Sequence, residues 1–186
     1  MLRYLFDDIM PIAEEIKSLL EPGCERIEIA GSLRRRRGTV KDIEIVAEPI
    51  LDEQRDLFQH VAGYRSRLSP ILLRLIEERF LAPAGKDGER YKRFRVLGEI
   101  DPKLDLFIVR PPAQWGVIFA IRTGPAEFSR RLVTPRKHGG LLPAHLRVKD
   151  GAVRRRGNLA QIIETPTEEA LFRFLEIDWI PPEERA

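Results

Sequence analysis

The sequence predicts an α+β fold: a small mixed β-sheet that carries acidic side chains, is backed by helices and is followed by a small C-terminal lobe. Three observations predict it. Four short stretches, at 26–30, 42–46, 91–97 and 103–109, alternate or run apolar as strands do. Residues 3–20 repeat apolar side chains at helical steps. The last third mixes helical patterns with a hairpin signal. We expect the division at 1–112 and 113–186.

Taken in order, Leu5, Ile9, Ile12, Ile16 and Leu19/Leu20 mark one helix, which Pro22-Gly23 ends. Arg26 to Ala30 (RIEIA) alternates as a strand, and Gly31-Ser32 breaks it and opens a basic segment. Asp42 to Val46 (DIEIV) is the second strand, closed by Pro49. Residues 52–80 read as one or two helices interrupted near Gly63 and Pro70, and 83–88 as a turn. Tyr91–Leu97 and Lys103–Val109 read as a hairpin pair, stopped by Pro111-Pro112. Val117–Ile121 fits helix or strand. A short helix is expected over 127–133 after Thr123-Gly124-Pro125. A hairpin should turn at Asp150-Gly151, and a helix at 167–175 has Thr165 or Thr167 as its cap.

The 186 residues suit one domain, or one domain with a small lobe; they are 43% hydrophobic and 33% charged with both signs present, which argues against general disorder. Apolar runs such as 117–121 are too short to span a bilayer, and the start of the chain lacks the pattern of a signal peptide. The single cysteine, Cys24, excludes an internal disulfide and a cysteine zinc cluster. An intracellular, soluble monomer is the expectation. Residues 86–156 carry 17 Lys/Arg against 7 Asp/Glu, whereas 157–186 carry 2 against 7. The basic middle suits a polyanion, or a solvated surface equally.

Asp42 and Glu44 stand two apart on one strand and so share a face. Close carboxylates repel, and a hard cation such as Mg²⁺ relieves the repulsion with oxygen ligands. On the pair alone, a solvated strand edge is the commoner outcome. Asp105 interrupts the apolar strand KLDLFIV; a salt bridge, a face open to water or a third metal ligand would each account for it. Three carboxylates can hold two metal ions in a phosphoryl displacement, and one can accept the proton of the attacking hydroxyl. Upstream, Gly31 and Ser32 precede Arg34, Arg35, Arg36, Arg37 and Lys41. A glycine-serine turn followed by arginines suits a triphosphate, and alone it also suits a plain nucleic-acid patch or a solvated turn. Trp115, Phe119 and Phe128 read as core in preference to base-stacking platforms. His60, His138 and His145 read as scattered, not as ligands.

The run GSLRRRRGTVKDIEIV resembles the Gly-Ser … Asp-X-Asp signature of the polymerase-beta-type nucleotidyltransferase superfamily, and within it the X family of DNA polymerases. Thr123-Gly124 with Phe128 resembles that family's nucleotide-binding turn at the start of the thumb. The resemblance implies a minimal nucleotidyltransferase palm plus a small C-terminal thumb lobe. It implies Mg²⁺ (or Mn²⁺) at Asp42, Glu44 and Asp105, with Gly31, Ser32 and Arg35 on the triphosphate and Gly124 near the sugar and base. It implies transfer from a dNTP or NTP to a nucleic-acid 3′-hydroxyl, in gap filling or repair, with DNA as the partner. An RNA end, a small molecule or a protein side chain is the alternative acceptor, and a non-catalytic nucleic-acid-binding relative is the third reading. Arg130, Arg131 and Lys137 would track a template or primer backbone, or form a solvated helix face. Glu44 stands where the family has aspartate, and Ile121-Arg122 replace its aromatic pair. The stretch 1–21 is too short for the family's lyase lobe, so deoxyribose-phosphate lyase activity is not expected.

Overall fold

A computed structural model describes residues 2–185. The chain forms two compact units: one up to Ile29 and from Val40 to Ile108, the other from Ala30 to Thr39 and from Val109 onward.

The first unit is built on a five-stranded sheet. Its strand order is Cys24–Ile29, Asp42–Pro49, Lys103–Ile108, Tyr91–Val96, Leu81–Asp87. Asp42–Pro49 runs parallel to Lys103–Ile108, and the other neighbours pair antiparallel, so the sheet is mixed. The helix Phe6–Leu20 buries Ile9, Ala13, Ile16 and Leu20, the three-to-four-residue spacing of one helix face. This helix packs on the Cys24–Ile29 and Asp42–Pro49 strands, and the helix Leu68–Glu77 packs on Leu81–Asp87. Ile43, Ile45, Leu104 and Leu106 are fully buried on one sheet face. Their alternates, Asp42, Glu44 and Asp105, project from the other.

Residues 51–66 are not helical. Leu51–Arg55 and Val61–Ser66 form a separate antiparallel hairpin. Its turn is closed by Asp56, whose carboxylate accepts the backbone N–H groups of Phe58 and His60 at 2.8 and 2.9 Å. Arg67 grips Asp52 at its base. An aspartate that binds backbone two and four residues on competes with helix formation, and that local chemistry outweighs the apolar spacing. Pro70 does not interrupt a helix. It sits in the first turn of Leu68–Glu77, where its missing N–H costs nothing. The expected turn at 83–88 is also displaced. Leu81–Asp87 is an edge strand with an irregular register between Pro83 and Asp87, and an edge is where a strand tolerates proline.

The second unit has helices Trp115–Thr123, Ala126–Val133 and Glu168–Phe174 and a three-stranded antiparallel sheet, Leu146–Lys149, Ala152–Arg155 and Asn158–Ile163. Val117–Ile121 is therefore helical. The hairpin turns at Asp150-Gly151, both with positive φ, and a third strand follows it that the sequence reading lacked. Val117, Phe128, Leu132, Leu146, Val153 and Phe172 belong to one buried core. Thr167 caps the last helix by accepting the N–H of Ala170 at 3.2 Å. Among the described residues no helix is long and apolar enough to cross a membrane.

Candidate active site

In the first unit, strand register brings the three carboxylates to one face. Glu44 lies directly beside Asp105 across the parallel pair, and Asp42 lies beside Lys103. The next strand extends both rows, with Arg93 beside Asp105 and Arg95 beside Lys103. A third row places Val46, Phe107 and Tyr91 in line, and the Tyr91 and Phe107 rings stack at 5.1 Å. Strand pairing thus builds a face of acids bordered by cations and floored by an aromatic pair.

Asp105 is 7% exposed. Arg93 grips it through both oxygens: Nε donates to Oδ1 at 2.6 Å and Nη2 to Oδ2 at 3.0 Å. The Tyr91 hydroxyl donates to Oδ1 at 2.8 Å. The salt bridge that would account for a carboxylate in this apolar strand is present. Burial, helped by the hydrogen bond to Asp105, pushes the Tyr91 hydroxyl up to about 12. Arg93 is held still more firmly protonated by its bond to Asp105. Burial, and then the charge of Asp105, raise the pKa of Asp42 above the usual carboxylate value, against the pull of Arg93, Lys41 and Lys103.

Among the described residues no group of three or more His, Cys, Asp or Glu is gathered as a metal cluster. The chemistry of the donors nevertheless fits a hard divalent cation. All three are carboxylates on one face, and the mutual repulsion of Asp42 and Asp105 is what such a cation removes. A pocket of about 320 Å³ lined by Leu2, Tyr4, Lys41, Arg95, Asp101 and Lys103 adjoins them, with Arg95 paired to Asp101.

The second unit joins the other two sequence motifs. Gly31 opens a single helical turn, Gly31–Arg34, with φ +61°, a value that favours glycine. Ser32 follows it, and its carbonyl accepts the Arg37 N–H at 3.1 Å. Arg35 Nη1 donates to the Thr123 carbonyl, and Arg34 Nη1 donates to Thr123 Oγ1 at 2.6 Å. The arginines after Gly-Ser are therefore tied to the Thr123-Gly124 turn. At Gly124 a Cβ would meet Phe128 at 2.6 Å, so the turn closes on that ring.

Arg34 goes further. It donates to both oxygens of Glu168 at 2.8 and 2.7 Å and lies 3.8 Å over the Phe119 ring. Arg185, wholly buried, donates to the same carboxylate at 2.7 and 3.2 Å. Burial alone would raise the pKa of Glu168, but the bonds from Arg34 and Arg185 outweigh it and hold the carboxyl below its usual value. These contacts carry residues 30–39 into the second unit, whereas the sequence division at 112/113 left them in the first.

The sequence reading overlooked Glu168, Arg185, Arg93 and Tyr91. Glu168 was visible only as an acid after a helix cap, and Arg93 only as a polar member of an alternating strand. Trp115, Phe119 and Phe128 are buried, as core residues are. Arg130 pairs with Glu127 on an exposed helix face, and Arg131 and Lys137 are exposed.

No curated protein matches the chain. Residues 120–186 match the family model of the DNA polymerase beta thumb. They span the Thr123-Gly124 turn, the three-stranded sheet and both ends of the Glu168–Arg185 pair, so this C-terminal segment is similar to the thumb of DNA polymerase beta.

Proposed function

We propose that the chain is a nucleotidyltransferase that moves a nucleoside monophosphate from a dNTP or NTP to a nucleic-acid 3′-hydroxyl, as in gap filling or repair. The observation that carries this reading is the strand register that sets Asp42, Glu44 and Asp105 on one sheet face. Gly31-Ser32 and the arginines supply the second element, ten residues upstream of Asp42 in the chain. In the reaction the acceptor oxygen bonds to the α-phosphorus, the bond from that phosphorus to the β-bridging oxygen breaks, and pyrophosphate leaves. Asp42, Glu44 and Asp105 would hold Mg²⁺ (or Mn²⁺), which supplies Lewis acidity to the phosphoryl oxygens. Asp105 takes the proton of the acceptor hydroxyl. Ser32 and Arg35 hold the β- and γ-phosphates, and the Thr123-Gly124 turn, fixed by Arg34 and Arg35, receives the sugar and base. Lys41, Lys103 and Arg95 give an acidic strand a place beside the carboxylates, which favours a nucleic-acid acceptor over a small molecule. The thumb similarity, a feature associated with DNA binding, points to DNA as the partner.

The Arg93–Asp105 pair favours one other reading, a nucleic-acid-binding relative without turnover. Extension of labelled gapped, primed and single-stranded DNA with dNTPs or NTPs separates the two. Transfer by the native chain, lost in Asp105→Ala with circular dichroism unchanged, supports catalysis. Binding without product under Mg²⁺ and Mn²⁺ refutes it.

A further inference from the structure

We propose that Arg93 is a resident counter-ion of the carboxylate face, which a divalent cation must displace from Asp105 before that carboxylate can take up its role. The inference rests on the metal-carboxylate reading given above.

Register makes the pairing obligatory. Arg93 and Asp105 are direct cross-strand partners, so their side chains leave the sheet side by side on one face. A carboxylate offers about four lone-pair positions. Asp105 has three filled: two by Arg93 and one by Tyr91. The Arg93 side chain is 35% exposed and that of Asp105 is 9% exposed. The guanidinium therefore has an open route to water, while the carboxylate is nearly enclosed. Release has to come from movement of Arg93.

A divalent cation at Asp105 would face the guanidinium charge at close range, in a setting too buried for water to screen it fully. Both positive charges cannot occupy the same oxygens. Two consequences follow. Cation uptake at Asp105 is weaker than the three carboxylates alone would provide. The Arg93 charge also offsets part of the repulsion that Asp105 exerts on Asp42. Arg93 is a positioning residue in this scheme, since it acts on Asp105 and not on substrate.

Calorimetric titration of the whole chain with Mg²⁺ and Mn²⁺, without nucleotide, tests this. Arg93→Ala and Arg93→Gln should bind the cation at least about tenfold more tightly than the native chain, the loss of one charge-assisted pair. Arg93→Lys, a point charge without the bidentate fork, should fall between. Adding Asp105→Asn should abolish the difference. In the native chain the Arg93 Nε–H resonance should shift with the same midpoint as the binding heat, a measurement that needs no variant. Equal or weaker binding by folded Arg93→Ala and Arg93→Gln, or an Arg93 resonance unmoved at saturation, overturns the proposal and leaves the metal reading standing. Absence of cation binding in every protein, Arg93→Ala included, overturns both.

Discussion

Replacing Glu168 by glutamine should destabilise the second unit strongly without opening a cavity. The side chain keeps its size and loses its charge. Glu168 accepts four hydrogen bonds from two guanidinium groups. Arg185 is 0% exposed and Arg34 is 21% exposed at the side chain. Removing one partner of a buried ion pair costs about 3–5 kcal/mol, because the remaining charge is stranded. Arg34 keeps its bond to Thr123 and its place over Phe119 and can reach water, so the lower end, about 3 kcal/mol, is the expectation. For a chain of this length that is a fall of roughly 6–12 °C in Tm. Trp115 and Trp179 are the two tryptophans and both lie in this unit, so their fluorescence reports its unfolding directly. Glu169→Gln, on an exposed position of the same helix, is the control and should stay within about 0.5 kcal/mol of native. The pH dependence has a definite sign. The folded pKa of Glu168 is lowered, so its contribution is present above the ordinary value of 4.5 and disappears as pH falls through the folded value. The deficit of Glu168→Gln should therefore shrink in acid. A Tm no lower than that of Glu169→Gln at neutral pH would refute the claim that this carboxylate holds the two arginines.

Two further outcomes follow from the geometry. Asp42→Asn should stabilise the first unit at neutral pH by up to about 1 kcal/mol, because its raised pKa means that the charged form is disfavoured by folding. The gain should vanish below the ordinary aspartate value of 3.8, where both forms are neutral, and a Tm that does not rise at pH 7 would count against the carboxylate repulsion. Gly116→Ala should cost about 3 kcal/mol or more, since its Cβ would meet the Thr167 carbonyl oxygen at 2.0 Å and the Thr165 carbonyl oxygen at 2.7 Å, both backbone atoms unable to rotate away; urea denaturation followed by tryptophan fluorescence measures it.

Strand chemistry made much of the first unit legible. Asp42, Glu44 and Asp105 announce themselves because period-two alternation is local, and an acid in an apolar strand is visible without neighbours. The helix at 6–20 was readable for the same reason, as was Thr167 as a cap. The hairpin at 51–66 was not, because one Asp56 turn outweighed a helical spacing that leaves no mark of its own strength. The third strand of the C-terminal sheet was missed because Asn158–Ile163 is mostly exposed and gains its order from pairing with Ala152–Arg155.

By itself, the sequence determined which residues face together along each strand, where Gly31 breaks the chain, and the thumb similarity of its last third. Tertiary structure alone decided what stands opposite them. Register put Arg93 against Asp105, and folding brought Glu168 to both Arg34 and Arg185, 134 and 17 positions away. A residue's own neighbours in the chain fix its face, but its partner across a sheet or core depends on pairing and packing far along the chain. For that reason the shared face of the three acids could be read in advance, and the arginines that hold Asp105 and Glu168 could not.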